Sequence, residues 1–335
     1  MIETKYGMIS DVHQDPRLVP VAIEALKAAG ANKLIVNGDI GIHAKKLQDS
    51  QEYTAYILDC VGKSGLESFV KPGSHETIGS YEPVLDFFTQ NYSNIVDVIK
   101  NPKIESGSHH LVFLPGSDWN AGGEYTFGNQ DGLSTGTFIQ TDNGLMGVDN
   151  YAHFINIIQN QLETGITGIQ GIMHYNNMAD LKNLINQPDK TVVVCHVPRR
   201  FDNVETGIDM AYFAENKDKA VMPGIVLENV IKKEYGNIPF TLIKTYAKQN
   251  GWDLKKENRG NEDLKNLYTE LGITKAVSGH FHESSHRAHD SNGVPVAQNT
   301  LVDNLFWNSG HLDNGYTGIL TVKDGKVSYQ NIVLK

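Results

Sequence analysis

Residues 275–283 read Lys275-Ala276-Val277-Ser278-Gly279-His280-Phe281-His282-Glu283. A short apolar run stops at a glycine, and two histidines follow two positions apart. In extended chain, residues i and i+2 point to the same side, so His280 and His282 aim at one point. The stretch Ser10-Asp11-Val12-His13 repeats that spacing after the run Tyr6–Ser10. Three more pieces put an Asp or His just past an apolar run: Asn37-Gly38-Asp39, Gly73-Ser74-His75-Glu76 and Cys195-His196-Val197-Pro198. Singly, each has a plain explanation. A Gly-Asp pair is usually a turn, and His196 after Val192-Val193-Val194 reads equally as a core histidine. Five in series, each at the end of an expected strand, point to one shared site.

The segments between them fix the fold class. Strands are predicted at Tyr6–Ser10, Lys33–Val36 and Ser68–Val70, and helices at Val19–Ala29, Tyr53–Val61 and Glu82–Phe88. Strand–helix–strand order at this spacing means parallel strands with crossover helices. Further on, strands are expected at His110–Pro115, Thr191–Cys195 and Ala276–Ser278, with helices at Tyr151–Leu162, Leu181–Ile185, 225–235 and Glu262–Leu271. The chain should end in strands at Gly318–Val322 and Lys326–Val333. In a parallel sheet the carboxyl ends of the strands gather on one rim, where sites form. Carboxylates and imidazoles converging there suit Mn²⁺, Fe²⁺ or Zn²⁺. Glycines at 38, 73 and 279 let the backbone turn beside such ions.

Composition narrows the function. The chain has 335 residues, 40% hydrophobic and 20% charged, with a formal net charge of −10. That acidity disfavours general binding to nucleic acid or anionic membrane. Residues 104–181 carry no Lys or Arg, only acids such as Asp118, Asp142 and Glu163. Residues 199–265 are nearly neutral and hold Lys255, Lys256 and Arg259. No apolar run reaches the roughly 18–20 residues of a membrane span, so no membrane partner is expected. Met1–Lys5 lacks the apolar stretch of a signal peptide. Cys60 and Cys195 are the only cysteines, which excludes a disulfide framework and fits a cytoplasmic location.

Taken together, the five pieces resemble the calcineurin-like metallophosphoesterases, whose pattern is Asp-x-His, Gly-Asp, Gly-Asn-His-Glu/Asp, His and Gly-His-x-His. The resemblance runs from Tyr6 to about Glu283. It implies an α/β fold, a four-layer αββα sandwich of two mixed β-sheets flanked by helices. The whole chain would be one domain, with insertions near 116–180 and 199–262. It also implies two divalent transition-metal ions, Mn best, with Fe or Zn also accepted. By the resemblance, Asp11, His13 and His282 hold the first ion and Asp39 bridges. His196, His280 and position 74 hold the second. His75 is implied to be catalytic, facing the leaving group rather than a metal. Position 74 departs from the pattern, since Ser74 stands where the family has Asn. A hydroxyl is a shorter donor than an amide carbonyl, so the second ion should bind more weakly.

The implied activity is metal-dependent hydrolysis of a small or medium phosphomonoester or phosphodiester, by activated water attacking phosphorus in line. Arg199 and Arg200, just past His196, are candidates to clamp a phosphate. Trp119 and Tyr125, in the glycine-rich middle, are candidates to stack on a substrate. His311 and His153 carry no spacing signal, and Cys195 should point away from the site. Two alternatives remain: a nuclease of the same fold acting on DNA or RNA, which the acidic 104–181 segment disfavours, and a weakly active metal-binding scaffold, which the presence of His75 disfavours.

Overall fold

Apolar residues at consecutive positions, rather than alternate ones, mark strands buried on both faces. The strands His109–Leu114, Thr191–Cys195 and Lys275–Ser278 are buried along their whole length. A computed structural model describes residues 3–42, 44, 46–76, 78–107, 109–114, 136–142, 144–146, 168–175, 181–218 and 220–335. Its first elements are β1 Thr4–Ile9, α1 Leu18–Ala28, β2 Lys33–Asn37, α2 Leu47–Lys63, β3 Glu67–Lys71, α3 Ile78–Asn91 and β4 Ile95–Asp97. Then come β5 Lys103–Ser106, β6 His109–Leu114, β7 Gly136–Thr141, β8 Gly144–Met146, β9 Ile169–Tyr175, α4 Leu181–Leu184 and β10 Thr191–Cys195. The next group is β11 Met210–Asn216, β12 Val221–Pro223, α5 Gly224–Tyr235, α6 Phe240–Gln249 and β13 Trp252–Asn258. The last are α7 Glu262–Leu271, β14 Lys275–Ser278, β15 Ala288–His289, β16 Leu305–Asn308, β17 Tyr316–Lys323 and β18 Lys326–Val333.

Two six-stranded sheets form the body, in the orders β18-β17-β1-β2-β3-β4 and β15-β16-β14-β10-β6-β5. The inner strands pair in parallel, as the crossover helices require, and antiparallel strands finish every edge except that at β4, which runs parallel to β3. Successive side chains of a strand face opposite ways, and here that alternation sorts the core into layers. Ile35 packs between the sheets with Tyr6, Phe69, Phe113 and Trp307. Its neighbours Leu34 and Val36 belong to the outer cluster, with Leu26 of α1, Ile57 and Val61 of α2 and Leu85 of α3. In the second sheet Val192 and Val194 face inward, while Val193 and Cys195 face α7 through Leu264 and Tyr268. These are the four αββα layers expected from the sequence. Cys195 is on the outer side, away from His196's neighbours, also as expected.

Helix α7 shows its local causes plainly. The Asn261 side chain accepts from the Leu264 N–H at 2.8 Å, Gly272 ends the helix at φ 71°, and Leu264, Leu267 and Tyr268 are the buried face. Among the described residues no helix is long and apolar enough to cross a membrane.

The second insertion holds more order than its sequence promised. Turn clusters and one helix were expected across it. The structure has a three-stranded sheet, β12-β11-β13, covered by α5 and α6. Ala214, Leu227, Ile231, Ile243, Ala247 and Leu254 make a core of its own. Its two necks are clasped by Asp209, whose carboxylate accepts from Phe201 N at 2.9 Å, Gly260 N at 3.2 Å and Asn258 Nδ2 at 2.7 Å. The first insertion contributes the small sheet β8-β7-β9. The expected helix at Tyr151–Leu162, with Trp119, Tyr125 and His153, lies outside the described residues.

Candidate metal centre

Each of the five motif pieces lies past the carboxyl end of a parallel strand: Asp11 after β1, Asp39 after β2, Ser74 and His75 after β3, His196 after β10, His280 and His282 after β14. The two sheets thus deliver their strand ends to one rim. Asp11, Asp39 and His280 have left-handed backbone, at φ 56°, 52° and 68°, which turns the chain sharply at the point where its side chain is needed. The loops after β2 and β3 touch. A Cβ on Gly38 would lie 2.5 Å from the Gly73 backbone, and one on Gly73 would lie 2.3 Å from Asp39 Oδ1. Only glycine permits either approach.

Asp39 is the hub. Its Oδ1 accepts from the backbone N–H groups of Ser74 and His75, the latter at 3.0 Å. Oδ2 lies 3.0 Å from His196 Nε2 and 3.8 Å from His75 Nε2. Asp11 Oδ1 lies 3.2 Å from His282 Nε2 and accepts from the His280 N–H at 3.1 Å. The Nδ1 of His196 is 2.9 Å from the Asn37 carbonyl, which makes Nδ1 the donor and turns Nε2 toward the carboxylates. Among the described residues, three sets of side chains have ligand atoms all within 4.8 Å of one another: Asp39, His196 and His280; His13, Asp39 and His75; His13, His282 and His311. Asp39 is common to two of them and His13 to two.

Charge explains why the cluster holds together. Burial pushes both buried carboxyls up, but His196 beside them outweighs it, and Asp11 and Asp39 are held below the usual carboxylate range. Burial pushes His196 down, yet Asp39 and Asp11 win and lift it to about 9. Desolvation, then the neighbouring His196, drives half-buried His280 down to about 3. Burial likewise lowers His13, and its Nε2 is a buried atom with no hydrogen-bond partner. Two carboxylates ringed by imidazoles with an orphaned nitrogen are a donor set that fits divalent transition ions. Glu76, pushed up to about 7 by burial and then by Asp39, accepts from the backbone N–H groups of Gly73 at 2.6 Å, Asp39 at 3.3 Å and Ile40. It ties the β2 and β3 loops together.

The structure places Asp11, His13, Asp39, His196, His280 and His282 on one rim. Ser74 is buried, and its hydroxyl lies 3.1 Å from both oxygens of Asp39, so it is spent on that carboxylate. His75 stacks on His13 with ring centroids 4.4 Å apart. The two arginines are engaged by other groups. Arg199 is buried, with its guanidinium 4.0 Å from the Phe201 ring and 4.6 Å from Phe306, donating to the Ser291 carbonyl at 3.2 Å. Both ring faces thus hold the guanidinium by cation–π contact. Arg200 lies 3.6 Å from Asp202 and 3.5 Å from Glu262 on the surface. Sequence reasoning missed His311 and Asp313, although His311-Leu312-Asp313 has the same i, i+2 spacing as Asp11-Val12-His13.

No family model matches the chain, and no curated protein does. Solved structures match its shape. TT1561 of Thermus thermophilus aligns over 98% of this chain and 99% of its own, at 9% identity and a TM-score of 0.53. A second solved structure aligns over 98% and 99% at 12% identity and a TM-score of 0.51. A dimetal phosphatase from Danio rerio aligns over 99% of both chains at 10% identity, more loosely, with a TM-score of 0.45. Two facing mixed sheets between helices, with all five motif loops on one rim, give this chain the calcineurin-like metallophosphoesterase fold.

Proposed function

We propose that the chain hydrolyses a small or medium phosphomonoester or phosphodiester with the help of two divalent metal ions. One observation carries this reading: the Asp39 carboxylate is shared by two groups of imidazoles, one with His13 and His75, the other with His196 and His280. A bridging carboxylate between two nitrogen-rich positions is what a binuclear site needs. Asp11, His13, His282 and Asp39 would hold one ion, and Asp39, His196 and His280 the other, with Mn²⁺ the best activator and Fe or Zn accepted. Bound there, the ions would supply a nucleophile from water and neutralise phosphoryl charge.

The protein's own groups do the rest. The β2–β3 loop contact fixes Asp39, and Asn37 fixes the ring of His196. His75 is 31% exposed at its side chain, so it can meet substrate while its Nε2 stays 3.8 Å from Asp39. From there it hands a proton to the leaving oxygen. The second insertion walls the site. A cavity of about 310 Å³ lies between Tyr212, Glu228, Phe240 and Lys256 of the insertion and Glu283, the residue after His282. Lys255 pairs with Glu215 at 2.7 Å and Arg259 stacks 4.5 Å from Phe213. Both are engaged within the insertion, which favours a small substrate over nucleic acid. Cys60 and Cys195 are not joined in a disulfide, which suits work in the cytoplasm.

The test is metal-free protein reloaded with Mn²⁺, Fe²⁺ or Zn²⁺ and offered a phosphomonoester, a phosphodiester, a cyclic nucleotide and DNA. Two ions per chain and metal-dependent turnover of a small ester are expected. Full activity in protein with no transition metal by elemental analysis would sink the reading.

A further inference from the structure

His311 lies outside the family pattern, yet it stands in the cluster. Its ring stacks on His282 with centroids 3.6 Å apart and lies 5.6 Å from His13. One of its nitrogens is within 4.8 Å of ligand nitrogens on both. The residue is buried, and its Nδ1 has no hydrogen-bond partner. Buried polar atoms nearly always find one, so the orphaned nitrogen marks a ring built for something other than packing.

The segment that carries it is tied to the first motif. Leu312 N–H donates to the Ser10 carbonyl at 3.1 Å, and the Asp313 carboxylate accepts from the N–H groups of His13, Gln14 and Asp15 at 2.9, 3.0 and 2.9 Å. The same carboxylate sits 3.5 Å from His13 Nδ1 and 3.5 Å from His311 Nε2. A carboxylate beside an imidazole orients the ring and raises its basicity toward a metal. Asp313 faces two rings in this way.

We infer that His311 is a ligand of the first metal ion, so that three imidazoles, His13, His282 and His311, serve that position beside Asp11 and Asp39. The inference rests on the dimetal reading above and goes beyond it. A third imidazole tilts the first site toward ions later in the Irving–Williams order than Mn²⁺. The second site, with His196, His280 and Asp39, gains nothing. The two positions should therefore differ in both affinity and preference.

The test is titration of metal-free full-length protein with Co²⁺, followed by calorimetry and visible absorption. Wild type should bind two ions. His311→Ala and His311→Phe should each weaken one of them at least tenfold and alter its visible bands, leaving the other unmoved. Phe keeps a flat face for His282 but has no nitrogen. Wild-type affinity in the Phe variant would therefore show that His311 acts by stacking, and would overturn the assignment. Should both variants fail to fold, X-ray absorption of wild type carrying one Co²⁺ decides: three imidazoles support the inference and two overturn it. If wild type takes up no Co²⁺ at all, the dimetal reading falls first.

Discussion

His75 and Ser74 are neighbours on one loop with different duties. The His75 ring reaches solvent, stacks on His13 and stays 3.8 Å from Asp39. A proton donor to the leaving group matters most when that group is a poor one. His75→Ala should lower turnover of an alkyl phosphate by roughly 10²–10⁴, and cost much less with nitrophenyl phosphate. Metal content should barely change. Equal losses on both esters together with lost metal would make His75 a ligand instead. Ser74 spends its hydroxyl on both oxygens of Asp39. In Ser74→Asn the longer side chain can pass the carboxylate and offer an amide oxygen. The weaker of the two metal affinities should then tighten about tenfold, or about 1.4 kcal/mol. Calorimetry showing two unchanged affinities would remove position 74 from metal binding.

At the scale of elements, the site depends on two loops in backbone contact. Gly73→Ala would push a methyl into Asp39 Oδ1 and its backbone nitrogen, 2.3 and 2.4 Å from the new Cβ. Relief means moving the β2 loop, at about 1–3 kcal/mol. Lower melting temperature and at least tenfold weaker binding of both ions are expected, since both share Asp39. Strands β1, β2, β3, β10 and β14 were legible in the sequence because burial on both faces leaves unbroken apolar runs, and with them six of the site's residues. Other elements were not legible. β13 reads Trp-Asp-Leu-Lys-Lys-Glu-Asn, with only Leu254 buried, so nothing in it resembles a strand until β11 pairs beside it. Likewise the Arg199-Arg200 pair looked like a phosphate clamp, because sequence does not reveal that Phe201 and Phe306 frame one guanidinium. His311 was set aside as lacking a spacing signal, because no apolar strand leads directly into it: Ser309 and Gly310 intervene.

At the scale of the molecule, the sheets meet across a polar contact inside an apolar core. Tyr6 of the first sheet holds His109 of the second, with hydroxyl and Nε2 2.7 Å apart. Burial, then Lys33, lowers His109 to about 4. The unfolded chain therefore takes up this proton near pH 6.5 and the folded one does not until about 4. Stability from this group is complete above pH 6.5 and drains away as pH falls toward 4. His109→Gln, compared with wild type by urea unfolding at pH 7.5 and pH 5, should lose less stability on acidification. An identical loss would mean that His109 does not sense pH in this range. The insertion's private core has a kinetic consequence. None of Ala214, Leu227, Ile231, Ile243, Ala247 or Leu254 belongs to the clusters that bind the two sheets. Such a unit can open by itself while the sandwich stays closed. In deuterated water, amides of α6 should exchange at least about tenfold faster than those of β10, through an opening that leaves bound metal in place. A protease able to catch that open state would nick the chain between 236 and 251 long before it touched the sheets.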